Sequence, residues 1–411
     1  MHFGKTPLFR LLPLYVVIFM GFVGYSLMIT VFTPMVMNNE SGILPLSYSL
    51  HQRVFLLGVL LSVYPLGQFF GSSIIGALSD HFGRRPLLLS TLFAATLFYI
   101  LISLALVQRN FALLIGASAI AGLLEANIAL AQSAIADLTT EATRSRYFGY
   151  VYLSASAAYI IGPLFGGKLA DPHLASWFHD ATPFWFTTGF LFLTFVWCFF
   201  SFKETRVKMT SRSLHLMRAL TNLSGVFTAK KLTKFYLVNF LLYLSIFGFF
   251  RSYPMYLVDA FHLGVSKESE FIAWVAVPII ITNLGLTGYF SQRFSARTLT
   301  LISAVLTGIF MIAIIVPPYL NSLWVTLFLT AFALAICLPA CATLLSLAAS
   351  SKDQGSVMGN NQSLQVGAEG ISSIMGGLLA ALFVKLSLIV FGALALLGGL
   401  LLLLLTKKER S

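Results

Sequence analysis

The sequence predicts an all-α membrane protein with twelve transmembrane helices in two pseudo-symmetric six-helix bundles. Hydrophobic residues make up 58% of the 411 positions, charged residues only 10%, and the mean hydropathy is +0.88. These values are typical of a chain whose surface faces lipid. Apolar runs near the ~20-residue length of a membrane helix recur along the chain. A polar motif of the first half also recurs in the second half, which indicates a duplicated unit.

The twelve predicted spans follow from the apolar runs and the polar turns between them. They lie near residues 11–37, 54–79, 86–106, 111–136, 147–169, 182–202, 235–259, 271–290, 298–317, 323–348, 356–383 and 386–406. The first run is longer than the ~7–15-residue core of a cleaved signal peptide, so we expect it to remain as the first helix. Residues 1–202 would form the N-terminal bundle, 203–234 a basic cytoplasmic inter-bundle linker, and 235–411 the C-terminal bundle.

Positive charge is concentrated at the two ends of the chain, in alternate loops and in the linker, where most of the 26 Lys and Arg residues lie. This positive-inside pattern places both termini in the cytoplasm and predicts a multi-pass protein of a bacterial-type inner membrane. It explains the net charge of +12 without nucleic acid. The linker would follow the anionic inner leaflet, either as a surface helix over 214–227 or as a solvated segment. The three cysteines lie in apolar runs, so we expect no disulfide and no metal site.

The segment 76–88 is a charged turn between predicted spans 2 and 3, and it supplies candidate gating residues. The set is Gly76, Asp80, Gly83, Arg84 and Arg85. Gly76 would let its helix approach a neighbour closely, and Gly83 would permit a backbone turn with positive φ. Asp80 can accept hydrogen bonds from amide or guanidinium donors, and the two arginines would anchor the turn at the membrane face.

This charged turn, with its pattern Gly-x-Leu-Ser-Asp-x-x-Gly-Arg-Arg, resembles the loop between helices 2 and 3 of the major facilitator superfamily. It recurs at residues 288–299, where Gly288 takes the place of Gly76 and Gln292 that of Asp80. The resemblance implies two related bundles around a central substrate site, working by alternating access. The charge function of the turn is expected in the first copy alone.

Predicted span 5 carries a glycine-rich motif that resembles the antiporter motif of the twelve-helix drug:proton branch of that family. Its candidate gating residues are Gly149, Gly162, Pro163, Gly166 and Gly167. Such a face with a Gly-Pro kink lets a helix pack tightly and bend; ordinary helix contact is the alternative. Three features depart from the branch: Ala158 stands for a glycine, Ser118 stands where an arginine is usual, and predicted span 1 lacks an acidic residue.

Ionisable side chains inside predicted spans are costly and therefore mark functional positions. Glu125 lies midway along span 4 and Glu369 midway along span 11, and burial favours the protonated form of a carboxyl. We predict both as proton-coupling residues, with Glu125 the principal one; a permanent structural hydrogen bond is the alternative for each. Arg251 would change the charge state of Glu125, hold an anionic substrate, or snorkel to the interface. Lys168 is a second intramembrane cation.

Polar and aromatic residues on spans 1, 4 and 7, which line the cavity in this family, form the predicted substrate wall together with residues added from spans 2 and 11. The set is Tyr25, Thr30, Tyr64, Gln68, Asn127, Asn239, Tyr243, Arg251, Gln362 and Gln365. Aromatic and amide side chains with few charges suit amphipathic organic compounds. Packing or contact with lipid is the alternative for each aromatic residue.

These features predict a secondary transporter, most simply a proton-coupled exporter of small organic compounds. The alternative is a proton-coupled importer of an organic anion, a metabolite or a siderophore, which would explain Arg251 and Lys168 better. The sequence contains no Gly-x-x-x-x-Gly-Lys-Ser/Thr loop, nucleophile elbow or metal-ligand spacing, so we expect neither an enzyme nor a nucleotide-driven pump. The proton gradient would supply the energy, with no cofactor. We expect a monomer whose partners are a small-molecule substrate and the lipid bilayer.

Overall fold

The computed structural model describes residues 8–139, 141–205, 232–348 and 354–408, and the regular structure among them is helical throughout. The α-helices, in chain order, are α1 Leu8–Met37, α2 Leu50–Phe82, α3 Arg84–Val107, α4 Phe111–Leu124, α5 Asn127–Asp137, α6 Glu141–Leu169, α7 Thr182–Ser201, α8 Thr233–Phe261, α9 Val265–Ile281, α10 Thr287–Arg293, α11 Ala296–Ala313, α12 Leu323–Ala348, α13 Gln354–Leu382 and α14 Val384–Lys408. Short 3₁₀ turns lie at Asn39–Ser41 and Leu320–Ser322, and a π-helical turn, Thr282–Leu286, joins α9 to α10.

Ten helical segments of the described chain are long and apolar enough to cross a membrane. Helix α6 and the α9–α10 segment complete the twelve predicted spans. The predicted fold class, an all-α membrane protein, is confirmed.

Predicted span 4 is interrupted in the structure. The continuous helix expected over 111–136 breaks between α4 and α5, where the N–H of Glu125 is shared by the carbonyls of Ala121 and Gly122, each at 3.0 Å. The N–H of Ile128 returns to the Glu125 carbonyl at 3.0 Å, which is a tight three-residue turn rather than an α-helical bond. The predicted membrane span over 111–136 is therefore present, and its helix is interrupted at Glu125 and Ala126.

Predicted span 8 is also corrected. It was expected as one helix over 271–290, but α9 already begins at Val265 and gives way to the π-helical turn after Ile281. Pro278 lies inside α9 and removes one helical N–H donor shortly before that turn. The earlier start brings a polar stretch, residues 265–270, into the helix.

Contacts divide the chain into two compact units. The first comprises Met1–Val31, Ser41–Leu44 and Val63–Leu220, and the second Phe32–Glu40, Pro45–Ser62 and Thr221–Ser411. Helices α1 and α2 contribute residues to both units. The core of the first unit is built by buried apolar residues of α1, α3, α5 and α6. In the second unit α8 packs on α13 and α14, and α11 packs on α12 and α14.

Residues 206–231 of the predicted linker lie outside the described part of the chain. The boundaries of the two bundles and the linker therefore stay a prediction.

Candidate functional site

The interruption between α4 and α5 places Glu125 inside the first unit. Glu125 is 3% exposed, and its Oε2 accepts a hydrogen bond from the Tyr64 hydroxyl at 2.6 Å. Tyr99 is hydrogen-bonded to Tyr64, and Tyr25 stacks on Tyr64 with ring centroids 5.5 Å apart. Irregular backbone at membrane depth is tolerated where it is buried in protein or lines a wet cavity. The structure thus gathers three tyrosines, one each from α1, α2 and α3, around the carboxyl in the turn between α4 and α5.

Glycines make room for this tyrosine–carboxyl cluster. A Cβ atom on Gly21 would overlap Oε1 of Glu125, and one on Gly24 would overlap the hydroxyl of Tyr99. Both glycines lie on α1, so this helix can approach the cluster only where it lacks side chains. Close backbone contacts between α2 and α4 involve three more glycines, Gly67, Gly71 and Gly122. None of these five glycines was singled out by the sequence motifs.

Three buried polar atoms on α4, α5 and the turn between them have no hydrogen-bond partner among the described residues. They are Ser118 Oγ, Glu125 Oε1 and Asn127 Oδ1. An unpaired buried polar group costs about 1–3 kcal/mol. Each such group in a native protein therefore calls for an explanation such as a ligand, a proton or water. The carboxylate oxygen of Glu125 can take up a proton, and both it and the Asn127 amide oxygen can accept hydrogen bonds from donor groups of a ligand.

A buried ion pair lies in the second unit. Arg251 on α8 is 1% exposed, its Nη2 lies 3.2 Å from Oε1 of Glu369, and its Nε donates to Ser373 Oγ at 2.9 Å. Both partners belong to α13, so the arginine charge is compensated by a neighbouring helix. The structure gives Arg251 an ionic partner, Glu369, that the sequence had not assigned to it. The proposed action of Arg251 on Glu125 stays a prediction.

Two residues of the predicted wall join a buried amide network in the second unit. Asn239 Nδ2 donates to the Cys341 carbonyl and to Asn361 Oδ1, each at 3.0 Å. The amide of Asn361 donates to the Tyr243 hydroxyl at 2.8 Å. Asn239 Oδ1 has no hydrogen-bond partner within the described residues, so this network also leaves an acceptor available.

The remaining members of the predicted wall are less informative. The Thr30 hydroxyl donates to the Ser26 carbonyl one turn earlier at 3.0 Å, which is a bond within its own helix. Gln68 and Gln365 are half-buried. The side chain of Gln362 lies outside the described residues.

The charged turn is held by a carboxylate that the sequence motif did not include. Gly83 has φ +103°, which confirms the predicted need for glycine there. Glu204 caps the start of α3, because its two oxygens accept the backbone N–H groups of Arg84 and Arg85 at 3.0 Å each. A carboxylate at a helix N-terminus is favourable for both charge and hydrogen bonding.

The two arginines of the turn reach different partners within the first unit. Arg84 Nε contacts Asp137 Oδ2 at 3.3 Å, and Arg85 Nε donates to the Phe202 carbonyl at 2.8 Å. The side chain of Asp80 lies outside the described residues. A Cβ on Gly76 would meet no described heavy atom within 4 Å, so the close helix approach expected there stays a prediction.

The glycine-rich face of α6 packs on α1. A Cβ on Gly162 would lie 3.2 Å from the Val23 carbonyl oxygen, and one on Gly166 would lie 3.2 Å from Leu27 Cγ. The Ser26 hydroxyl donates across the contact to the Ala158 carbonyl at 3.3 Å. Gly162 and Gly166 are buried, as are Pro163 and Gly167, whereas the surroundings of Gly149 lie outside the described residues.

Comparison with known proteins agrees with this architecture. The profile described as Major Facilitator Superfamily matches residues 14–287 and 235–411. The chain belongs to the Major Facilitator Superfamily. It is therefore a membrane transporter rather than an enzyme, and the resemblance drawn from the charged turn is confirmed.

Relatives within this superfamily include proteins named for drug resistance. The chain is 28% identical over 362 residues to the tetracycline resistance protein, class H, of Pasteurella multocida, a match covering 84% of this chain and 83% of that protein. It is 42% identical over 112 residues to the class G protein of Vibrio anguillarum, covering 27% of this chain and 28% of that protein. The crystal structure of the human organic anion transporter MFSD10 (TETRAN) matches 97% of this chain and 100% of its own with a TM-score of 0.69 and 20% identity, which shows the shared fold.

Proposed function

We propose that this transporter exports small organic compounds in exchange for protons, by alternating access. The observation that carries the proposal is Glu125, a carboxyl buried at a break in a membrane helix, held by Tyr64 through one oxygen and without a described partner at the other. The relatives named as tetracycline resistance proteins support export as the direction and tetracycline as a probe.

Competition for Glu125 would couple the two fluxes. An isolated carboxylate near the middle of a bilayer is unfavourable by at least ~2.5 kcal/mol, so the empty site favours the protonated form. A substrate that brings a donor or a positive charge replaces the proton at the free oxygen. Because one oxygen cannot serve both at once, substrate and proton occupy the site alternately, which is the requirement for antiport.

The remaining expectations belong to the same proposal. The protein would lie in the cell inner membrane as a multi-pass monomer with both termini in the cytoplasm. The proton gradient would be its energy source, without a cofactor, and its bundles would comprise residues 1–202 and 235–411. Its partners would be the substrate and the lipid bilayer.

Inside-out membrane vesicles from a bacterial host that lacks its own drug pumps provide the test. With an imposed proton gradient, we expect the wild type to accumulate tetracycline and Glu125→Gln to accumulate none, although exchange of labelled for unlabelled tetracycline survives in the variant. A wild type indifferent to the gradient, or a Glu125→Gln variant that still concentrates the drug, contradicts the proposal.

Import of an organic anion is the second candidate, and the buried Arg251 is the observation that favours it. A guanidinium in a low-dielectric site is suited to a carboxylate substrate, with Glu369 released from the ion pair by protonation. Uptake of labelled organic anions into whole cells, driven by external acidification and lost in Glu369→Gln, would support import over export.

A further inference from the structure

Glu268 is a buried carboxyl that the predicted spans leave in the loop before span 8. It lies in the first turn of α9, is 0% exposed, and has no hydrogen-bond partner at either carboxyl oxygen within the described residues. By contrast, Glu125 accepts a hydrogen bond from Tyr64 and Glu369 accepts one from Arg251. Burial of Glu268 is therefore not offset by any described hydrogen bond.

The elements packed around Glu268 bring no described opposite charge to it. Tyr253 on α8 is the titratable group in electrostatic contact with it. Helix α12, which packs on α9, has no charged residue along Leu323–Ala348. On α9 itself the Lys267 side chain is 50% exposed, and its Nζ binds Glu270 Oε2 at 2.6 Å. Arg251 on α8 forms its ion pair with Glu369 on α13.

Such a site discriminates strongly between the two forms of the carboxyl. Without a counter-charge or donors, the ionised form is disfavoured and the neutral form is held. The first turn of a helix nevertheless carries a partial positive charge, which stabilises the ionised form once water reaches it. The Glu268 carboxyl would therefore keep its proton while water is excluded and release it once water reaches the start of α9.

We propose that Glu268 is a second proton-binding site of the transport cycle. It holds a proton in the conformation described here and releases it to water when the start of α9 becomes hydrated in another conformation. The proton enters from water on one side of the membrane and leaves to water on the other, so no other reactant is needed. The proposal rests on proton-coupled transport, the proposed function.

Infrared spectroscopy of the purified protein tests proton occupancy without any substrate. Protonated carboxyls absorb separately from carboxylates, so spectra are recorded while the pH is raised, for the wild type, Glu268→Gln and Glu270→Gln. Glu270 is the matched control, a carboxylate of the same helical turn that is partly exposed and paired with Lys267. We expect a protonated-carboxyl component that fades with rising pH, is missing from Glu268→Gln and is kept in Glu270→Gln. The component from Glu125 remains in both variants, so Glu268 is read from the difference between each variant and the wild type.

Two spectral results overturn the proposal. Identical bands in Glu268→Gln and the wild type mean that the carboxyl is ionised at low pH. A band that persists up to the pH at which the protein unfolds means a permanent structural group. Because glutamine has the shape of the neutral carboxyl, Glu268→Gln should fold; its unfolding temperature is measured beside the spectra.

Proton counting in proteoliposomes then tests participation in the cycle. The number of protons exchanged per tetracycline molecule should fall by one in Glu268→Gln and stay unchanged in Glu270→Gln. Equal counts in both variants remove Glu268 from the cycle. Should the wild type move tetracycline without protons, the proposed function fails, whereas the infrared result still decides whether Glu268 binds a proton reversibly.

Discussion

The hydrogen bond from Tyr64 to Glu125 sets how readily this carboxyl releases its proton. A donor to a carboxylate favours the charged form. Tyr64→Phe keeps the ring and removes the donor, so the proton is held more tightly. We expect the pH profile of tetracycline efflux to move to higher pH by about one to two units, because a hydrogen bond to a charged group contributes about 1.5–3 kcal/mol and one pH unit corresponds to about 1.4 kcal/mol. Vesicle transport measured over a range of pH checks this.

Tyr15→Phe is the control for Tyr64→Phe. It makes the same chemical change on α1, where the Tyr15 hydroxyl donates to the Tyr147 carbonyl at 3.1 Å. Its profile should match that of the wild type. If Tyr64→Phe also leaves the profile in place, protonation of Glu125 does not limit transport.

The ion pair on α8 and α13 predicts strong coupling between its two members. Arg251→Met leaves Glu369 buried without its cation, which costs about 3–5 kcal/mol, and Glu369→Gln leaves the arginine in the same position. The double variant carries no uncompensated charge, so it should be more stable than Arg251→Met. Unfolding temperatures in detergent for the wild type, both single variants and the double variant measure this. Losses that simply add would show that the pair is not energetically linked.

Sequence patterns located some acids and missed another for a definable reason. Glu125 and Glu369 stand alone in apolar runs, so hydropathy singles them out. Glu268 lies between Lys267 and Ser269, with Glu270 one residue further on, so its neighbourhood is typical of an exposed polar turn. Burial of one acid among charged neighbours depends on which face of α9 packs inward. The partner of Arg251, Glu369, was named from the sequence, but pairing across helices is not encoded in spacing.

At the scale of helices, the contact between α6 and α1 depends on the absence of side chains. Gly166→Leu adds volume where a single Cβ would already lie 3.2 Å from Leu27 Cγ, and overpacking of this kind costs about 1–3 kcal/mol. We expect folded protein with little tetracycline efflux. Gly189→Leu on α7 is the control, since a Cβ there meets no described heavy atom within 4 Å and efflux should stay normal.

Size-exclusion profiles and vesicle transport separate misfolding from lost function in these two variants. Normal efflux in Gly166→Leu would show that this helix contact does not move during transport. The motif in α6 would then serve only packing.

Helix positions were predictable from hydropathy, whereas helix interruptions were not. The break at Glu125 lies within the sequence Gly122-Leu-Leu-Glu-Ala-Asn127. This stretch contains no proline that would have predicted an interruption. The backbone leaves the α-helical pattern where α1 and α2 approach through glycines and Tyr64 holds the carboxyl. These are contacts between helices, and the helix propensity of the local sequence does not encode them.

For the whole molecule, the important contact is the crossing of α2 and α13 at Gly58 and Gly377. This crossing shares one residue, Ser373, with the surroundings of the Arg251–Glu369 ion pair. Residues 45–62 belong to the second unit, and a Cβ on Gly58 would lie 2.6 Å from the Cα of Gly377 and 2.9 Å from the Ser373 carbonyl oxygen. Ser373 also accepts the hydrogen bond from Arg251. One residue therefore touches both the crossing and the ion pair. Since α2 continues into the first unit beyond residue 62, a change at this crossing has a covalent route to the residues around Tyr64.

The α2–α13 crossing should therefore be obligatory for transport. A Cβ on Gly377 would already lie 2.7 Å from the Gly58 Cα. The larger side chain of Gly377→Leu therefore forces the two helices apart. We expect folded protein, faster hydrogen–deuterium exchange over residues 50–62, and loss of tetracycline efflux. Gly367→Leu lies on the same helix with no described heavy atom within 4 Å of its Cβ, and it should leave both exchange and efflux unchanged. If Gly377→Leu shows faster exchange but wild-type efflux, the transport cycle does not need the two helices in contact at this crossing. Removing a conformation that the cycle must pass through would slow turnover.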